Sequence, residues 1–112
     1  MKPAARYDAF VQRLTQSVLD TPGATAPALR RAVMERGKHP VSAARDALPP
    51  ELAAYIDKVA RHAYKVTDAD FASLQASHSE DTLFEVTVAA TVGAALHRLE
   101  RGMAALRGEE PD

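Results

Sequence analysis

Glu85 is the one charged residue between Asp81 and His97, in a run otherwise built from Thr, Leu, Phe, Val, Ala and Gly. A carboxylate in apolar surroundings must be paired, hydrogen-bonded or protonated, because desolvation raises its pKa. Carboxyls raised in this way serve as general acids and bases. Glu85 is therefore the leading catalytic candidate, expected to titrate above about 4.3 if it does such work. The alternative is that it sits in the first turns of a helix and reaches solvent or a basic side chain. His62 and Tyr64 could assist it, His62 as a proton shuttle. The plainer reading makes His62 a core-margin histidine bonded to backbone, since no nucleophile or second acid stands at a triad-like spacing.

His97 lies twelve residues beyond Glu85, about 18 Å along a helix axis. The two cannot share a site within one helix, although a neighbouring subunit could bring them together. A metal site from His62, His97 and Glu85 has no motif behind it, because no ligand pair stands at i, i+4; no metal and no cofactor are expected. Arg30, Arg31, Arg36, Lys38 and Arg45 could meet an anionic partner, but without interleaved aromatics or a Gly-rich turn they read as a solvated face and loop. The chain has no cysteine, which excludes disulfides, thiolate metal sites and thiol redox chemistry.

These residues need helices to position them. Tyr7, Phe10 or Val11, Leu14 and Val18 recur at the three-four spacing of an amphipathic helix from about Ala4 to Leu19. Thr21-Pro22-Gly23 ends it. Thr25 reads as the N-cap of a second helix, with Pro27 in its first turn and Gly37 as its stop. Lys38–Pro49 reads as a loop with room for one helical turn at Ser42–Asp46. A third helix, Glu51–Lys65, places Leu52, Tyr55, Ile56, Val59 and Ala63 on one face. Thr67-Asp68-Ala69-Asp70 is a capping box that opens a short helix carrying Phe71 and Leu74. Ser79-Glu80-Asp81 caps a last helix running to Leu106, with acids at the positive end of its dipole.

That last helix would span roughly 42 Å, too long for its apolar middle to be covered by a monomer of this size. Its small residues, Ala89, Ala90, Gly93, Ala94 and Ala95, let another backbone approach closely. They are either an oligomer seam or a packing face for the chain's own first helix. The β-branched run Phe84–Val92 leaves a strand as the rival reading, and length decides for helix.

At 112 residues the chain argues for one domain, with a tail from Gly108 that frays. Hydrophobic residues make up 46%, enough for a core. A domain this short buries only about two-thirds of its unfolded surface, which gives oligomerisation a role in stability. The net charge of −1 supplies no field to draw in nucleic acid or acidic lipid. No stretch reaches the length of a membrane span, and MKPAARYDAF has no apolar signal region, so a cytoplasmic protein is expected.

Three strings carry a resemblance: VTDADFASL (Val66–Leu74), SEDTLFEVTVAATVGAALHRL (Ser79–Leu99) and YIDKVARHAYK (Tyr55–Lys65). They resemble the C-terminal part of the alkylhydroperoxidase D-like, carboxymuconolactone decarboxylase-like superfamily, in a cysteine-free branch. The likeness covers about 45 residues. It implies an all-α subunit of five to six helices that packs with its neighbours as dimers, trimers or hexamers. In the peroxidase branch a CxxC pair and a histidine occupy the helix before Val66; here that helix has no cysteine, so no redox residue carries over. The turn Gln75-Ala76-Ser77-His78 lacks the family's glycine, so Ser77 or His78 is expected to take any left-handed conformation. The Arg- and His-bearing helix pattern of the decarboxylase branch is not matched, and none of its site residues maps here. The resemblance thus implies an oligomeric structural or binding subunit without thiol peroxidase activity. A cysteine-bearing family member is a candidate partner. The alternative is a small-acid lyase, decarboxylase or isomerase with Glu85 as acid–base.

Overall fold

The computed structural model describes residues 3–39 and 48–108. They form α1 (Pro3–Asp20), α2 (Pro27–Lys38), α3 (Pro50–His62), α4 (Asp68–Gln75) and α5 (Glu80–Leu106), and no strand occurs among them. The fold is all-helical, and Phe84–Val92 lies within α5. None of these helices is long and apolar enough to cross a membrane. The helical turn expected at Ser42–Asp46 and the tail after Gly108 lie outside the described residues.

The helix boundaries follow local chemistry. α2 and α3 each open on a proline in the first turn, where a missing N–H costs nothing. α4 opens on a complete capping box: the Thr67 hydroxyl accepts from Asp70 N and the Asp70 carboxylate accepts from Thr67 N. The Ser79 hydroxyl accepts from Thr82 N at the start of α5. The third helix is shorter than its sequence pattern. It leaves α geometry at His62 (φ −141°, ψ 53°), and Ala63–Lys65 form a single 3₁₀ turn. The turn after α4 needs no left-handed residue. Ser77 N and His78 N both donate to Leu74 O, and no described non-glycine residue has positive φ. The expectation of a left-handed Ser77 or His78 is corrected accordingly.

α5 is the central element. α2 makes the most extensive contact with it, and α3 packs beside both. Val33, Leu52, Tyr55, Ile56, Leu83 and Val86 form the main core. A smaller cluster of Leu19, Met34 and Leu96 sits under Val11, Leu14 and Val18 of α1. The Tyr55 hydroxyl is buried but satisfied by Thr87 Oγ1 at 2.7 Å. Ion pairs tie helix to helix: Arg36 grips Asp57 in a two-pronged bond (2.7 and 2.8 Å), Lys58 meets Asp70 and Lys38 meets Glu100.

The small-residue surface of α5 has a partner that sequence reading did not select. It packs mainly against α2 rather than against the first helix. A methyl group at Gly37 would lie 2.5 Å from the Ala90 carbonyl oxygen, and one at Gly93 would overlap the Met34 carbonyl oxygen. The two glycines let the backbones of α2 and α5 touch. Ala89, Ala90 and Ala94 are buried in that contact, while Ala95 points outward.

Candidate functional site

Glu85 sits in the second turn of α5, where the helix passes the 21–26 connection between α1 and α2. Its carboxylate accepts three hydrogen bonds from that connection: Ala24 N at 2.6 Å, Thr25 N at 2.9 Å and Thr25 Oγ1 at 2.5 Å. The Thr25 hydroxyl, then the two backbone amides, hold the carboxyl below the ordinary glutamate range; the nearby Arg30 guanidinium adds to the effect and desolvation only opposes it. The raised pKa expected of a catalytic Glu85 is therefore reversed. Three donors aimed at the ionised form outweigh partial burial.

The connection is built around this contact. A methyl at Gly23 would lie 2.6 Å from a Glu85 oxygen, so a larger residue there would make the carboxylate shift from its present position. Thr25 is not the N-cap; Ala26 is, with Pro27 following. Thr25 falls one residue short of the cap and spends its hydroxyl on Glu85 instead. On the other side of the loop Arg30 is 5% exposed, and its Nη1 donates to the Val18 carbonyl at 3.0 Å and to the Thr21 carbonyl. These are orphan carbonyls at the end of α1. Arg30, expected on a solvated face, is thus a buried strut. Glu85 and Arg30 fasten the connection from both sides.

His62 and Tyr64 are elsewhere. Both are exposed, at the far end of α3, with their rings edge-to-face at 6.0 Å and Lys65 Nζ 5.8 Å from the Tyr64 centroid. Glu85 borders an open groove with Ser17, Val18, Pro22, Phe84 and Val88. His62 borders a separate cleft with Gly37, Ala60, Arg61, Ala94, His97 and Arg98. The chain does not assemble Glu85, His62 and Tyr64 into one acid–base site, and no group of three candidate metal ligands is found among the described residues.

It does bring His62 to His97. Sequence reasoning weighed these two only together with Glu85 and missed Arg61 and Arg98 beside them. The available signal was the mirrored pairing of Arg61-His62 with His97-Arg98, two basic–imidazole dipeptides on helices that pack together. Arg98 Nη2 donates to the Ala60 carbonyl at 3.0 Å, and His97 meets the His39 ring edge-on at 5.9 Å.

No family model, no curated protein and no solved structure matches this chain.

Proposed function

We propose that this chain is a self-associating, cytoplasmic helical subunit with a structural or binding role. In this reading it is a cysteine-free relative of the alkylhydroperoxidase D-like, carboxymuconolactone decarboxylase-like superfamily without thiol peroxidase activity, and a cysteine-bearing relative is its candidate partner. The observation that carries the non-catalytic reading is the saturation of Glu85. A general acid must hold a proton near neutrality, and a carboxylate with three donors and a lowered pKa does not. This weighs against the lyase alternative, which asks Glu85 to serve as acid as well as base.

Association is supported by what α5 leaves uncovered once α2 has taken its small-residue face. Phe84, Val88, Thr91 and Ala95 follow one another at spacings of four, three and four, and all are exposed, Phe84 at 66%. Such a row is the seam by which two helices pack. The radius of gyration, 15.0 Å, also exceeds the roughly 13 Å of a compact domain of this length.

Light scattering coupled to size exclusion should give a mass at least twice the 12.1 kDa chain. Phe84→Asp should return it to a single chain with helicity intact, because the side chain it replaces lies outside the core. A native protein that runs as a clean 12.1 kDa species at micromolar concentration would sink the proposal. Peroxide consumption with a dithiol reductant should stay at the buffer rate, since methionine is the only sulfur present and cannot run a dithiol cycle. Turnover that tracks the purified protein would overturn that part.

A further inference from the structure

The cleft that holds His62 and His97 contains groups that neither the core nor the exposed row of α5 employs. It lies between the C-terminal ends of α2 and α3 and the second half of α5, with a volume of about 430 Å³. Gly37, Ala60 and Ala94 give it an apolar floor; Arg61, His62, His97 and Arg98 surround that floor, and among the described residues no carboxylate lines it. Of the acids on the adjoining helices, Asp57 is engaged by Arg36 and Glu100 by Lys38. Nδ1 of His97 is buried without a hydrogen-bond partner among the described residues. A buried ring nitrogen left in this way is rare and calls for a ligand or an ordered water.

The plainer account is that basic side chains complement helix C-termini. It covers Arg61 and His62, which stand in the last turn of α3. It does not cover His97, in the interior of α5. Arg98 gives one bond to the Ala60 carbonyl, and a guanidinium has five N–H donors.

We infer that this cleft binds a small organic carboxylate, its charged end on Arg61, Arg98 and the His97 ring and its apolar body on the Ala60–Ala94 floor. Phosphate is the less suitable anion. Phosphate sites favour helix N-termini, whereas α2 and α3 present their negative ends here, which penalises a dianion more than a monoanion. A metal is disfavoured because the described residues offer no group of three ligands. The inference does not rest on self-association; a single chain contains every described lining residue.

The test is a titration of the full-length protein with sodium benzoate, sodium acetate and inorganic phosphate at constant ionic strength, read from the His62 and His97 imidazole resonances. Benzoate should bind saturably and roughly tenfold or more tightly than acetate, because only benzoate buries a ring on the alanine floor. Phosphate should be weaker than benzoate. Arg61→Gln should weaken benzoate about tenfold, the loss of one charge-assisted hydrogen bond. Its melting temperature and its mass by light scattering should stay native, since Arg61 is exposed. Arg13→Gln, an exposed position on α1, is the control and should bind as the native protein does. Shifts that never saturate, phosphate as tight as benzoate, or an Arg61 variant equal to the control would each overturn the inference. If the Arg61 variant does not fold, the ranking of the three anions on the native protein still decides it.

Discussion

Gly93→Ala should destabilise the protein by about 3 kcal/mol, at the upper end of ordinary overpacking effects. Helix propensity alone predicts the opposite sign, because alanine in a helix interior is favoured over glycine by roughly 1 kcal/mol. The difference lies in what the added methyl meets. At Gly93 it would overlap the Met34 carbonyl oxygen and crowd Lys38 N. Both are backbone atoms of α2, so no side-chain rotation relieves the clash. α2 must move away from α5, and Val33, Met34, Ala89 and Ala90 lose close packing together. Gly37→Ala attacks the same contact from the other helix, against the Ala90 carbonyl oxygen at 2.5 Å. Gly102→Ala supplies the control within α5, since nothing lies within 4 Å of its new methyl. That variant should gain up to about 1 kcal/mol. Urea denaturation of the three variants reads all of these values. If Gly93→Ala stabilised as much as Gly102→Ala, the close crossing of α2 and α5 would be wrong.

This crossing marks how far sequence reading reached. The run from Ala89 to Ala95 was legible as a surface for close approach, because small residues permit nothing else so cheaply. Its partner was not legible. Whether α1, α2 or another chain fills it depends on tertiary topology, and Gly37 had a sufficient local explanation as a helix stop. The helices themselves were readable from apolar spacing and caps, most fully at Thr67–Asp70, where both halves of the box lie within four residues. Errors came where a distant residue decided a local choice. Thr25 has the right chemistry for an N-cap, but a carboxylate sixty residues away claims its hydroxyl. Arg30 looked solvated because arginine usually is, yet the end of α1 needed a donor for its open carbonyls. Glu85 was correctly singled out as a carboxylate that had to be satisfied. Its satisfaction comes from backbone N–H groups, which every residue carries and no sequence pattern advertises. The cleft residues were hidden differently: His62 and His97 were visible, but their common cleft depends on how α3 lies along α5.

Glu85→Gln should cost roughly 2 kcal/mol near pH 7, the scale of hydrogen bonds to a charged group, reduced for partial exposure. Glutamine offers one acceptor oxygen where the carboxylate offers two, and it brings an NH₂ group toward Ala24 N or Thr25. The negative charge beside Arg30 is lost as well. Acid pH separates this from a simple loss of packing. The folded-state pKa of Glu85 lies below its unfolded value, so its stabilising contribution is complete above about 4.3 and declines as pH falls through the folded value. Asp70 behaves alike, held low first by Lys58 and then by the Thr67 amide, so acid loosens the α3–α4 contact too. That second loss is common to both proteins and cancels in the comparison. The gap between native protein and Glu85→Gln should therefore be widest at neutral pH and narrow steadily below about pH 4. Measured by urea denaturation across that range, a gap independent of pH would mean that the carboxylate's charge contributes nothing. A gap that widened in acid would mean that Glu85 is protonated in the fold, and would return it to the role of a general acid.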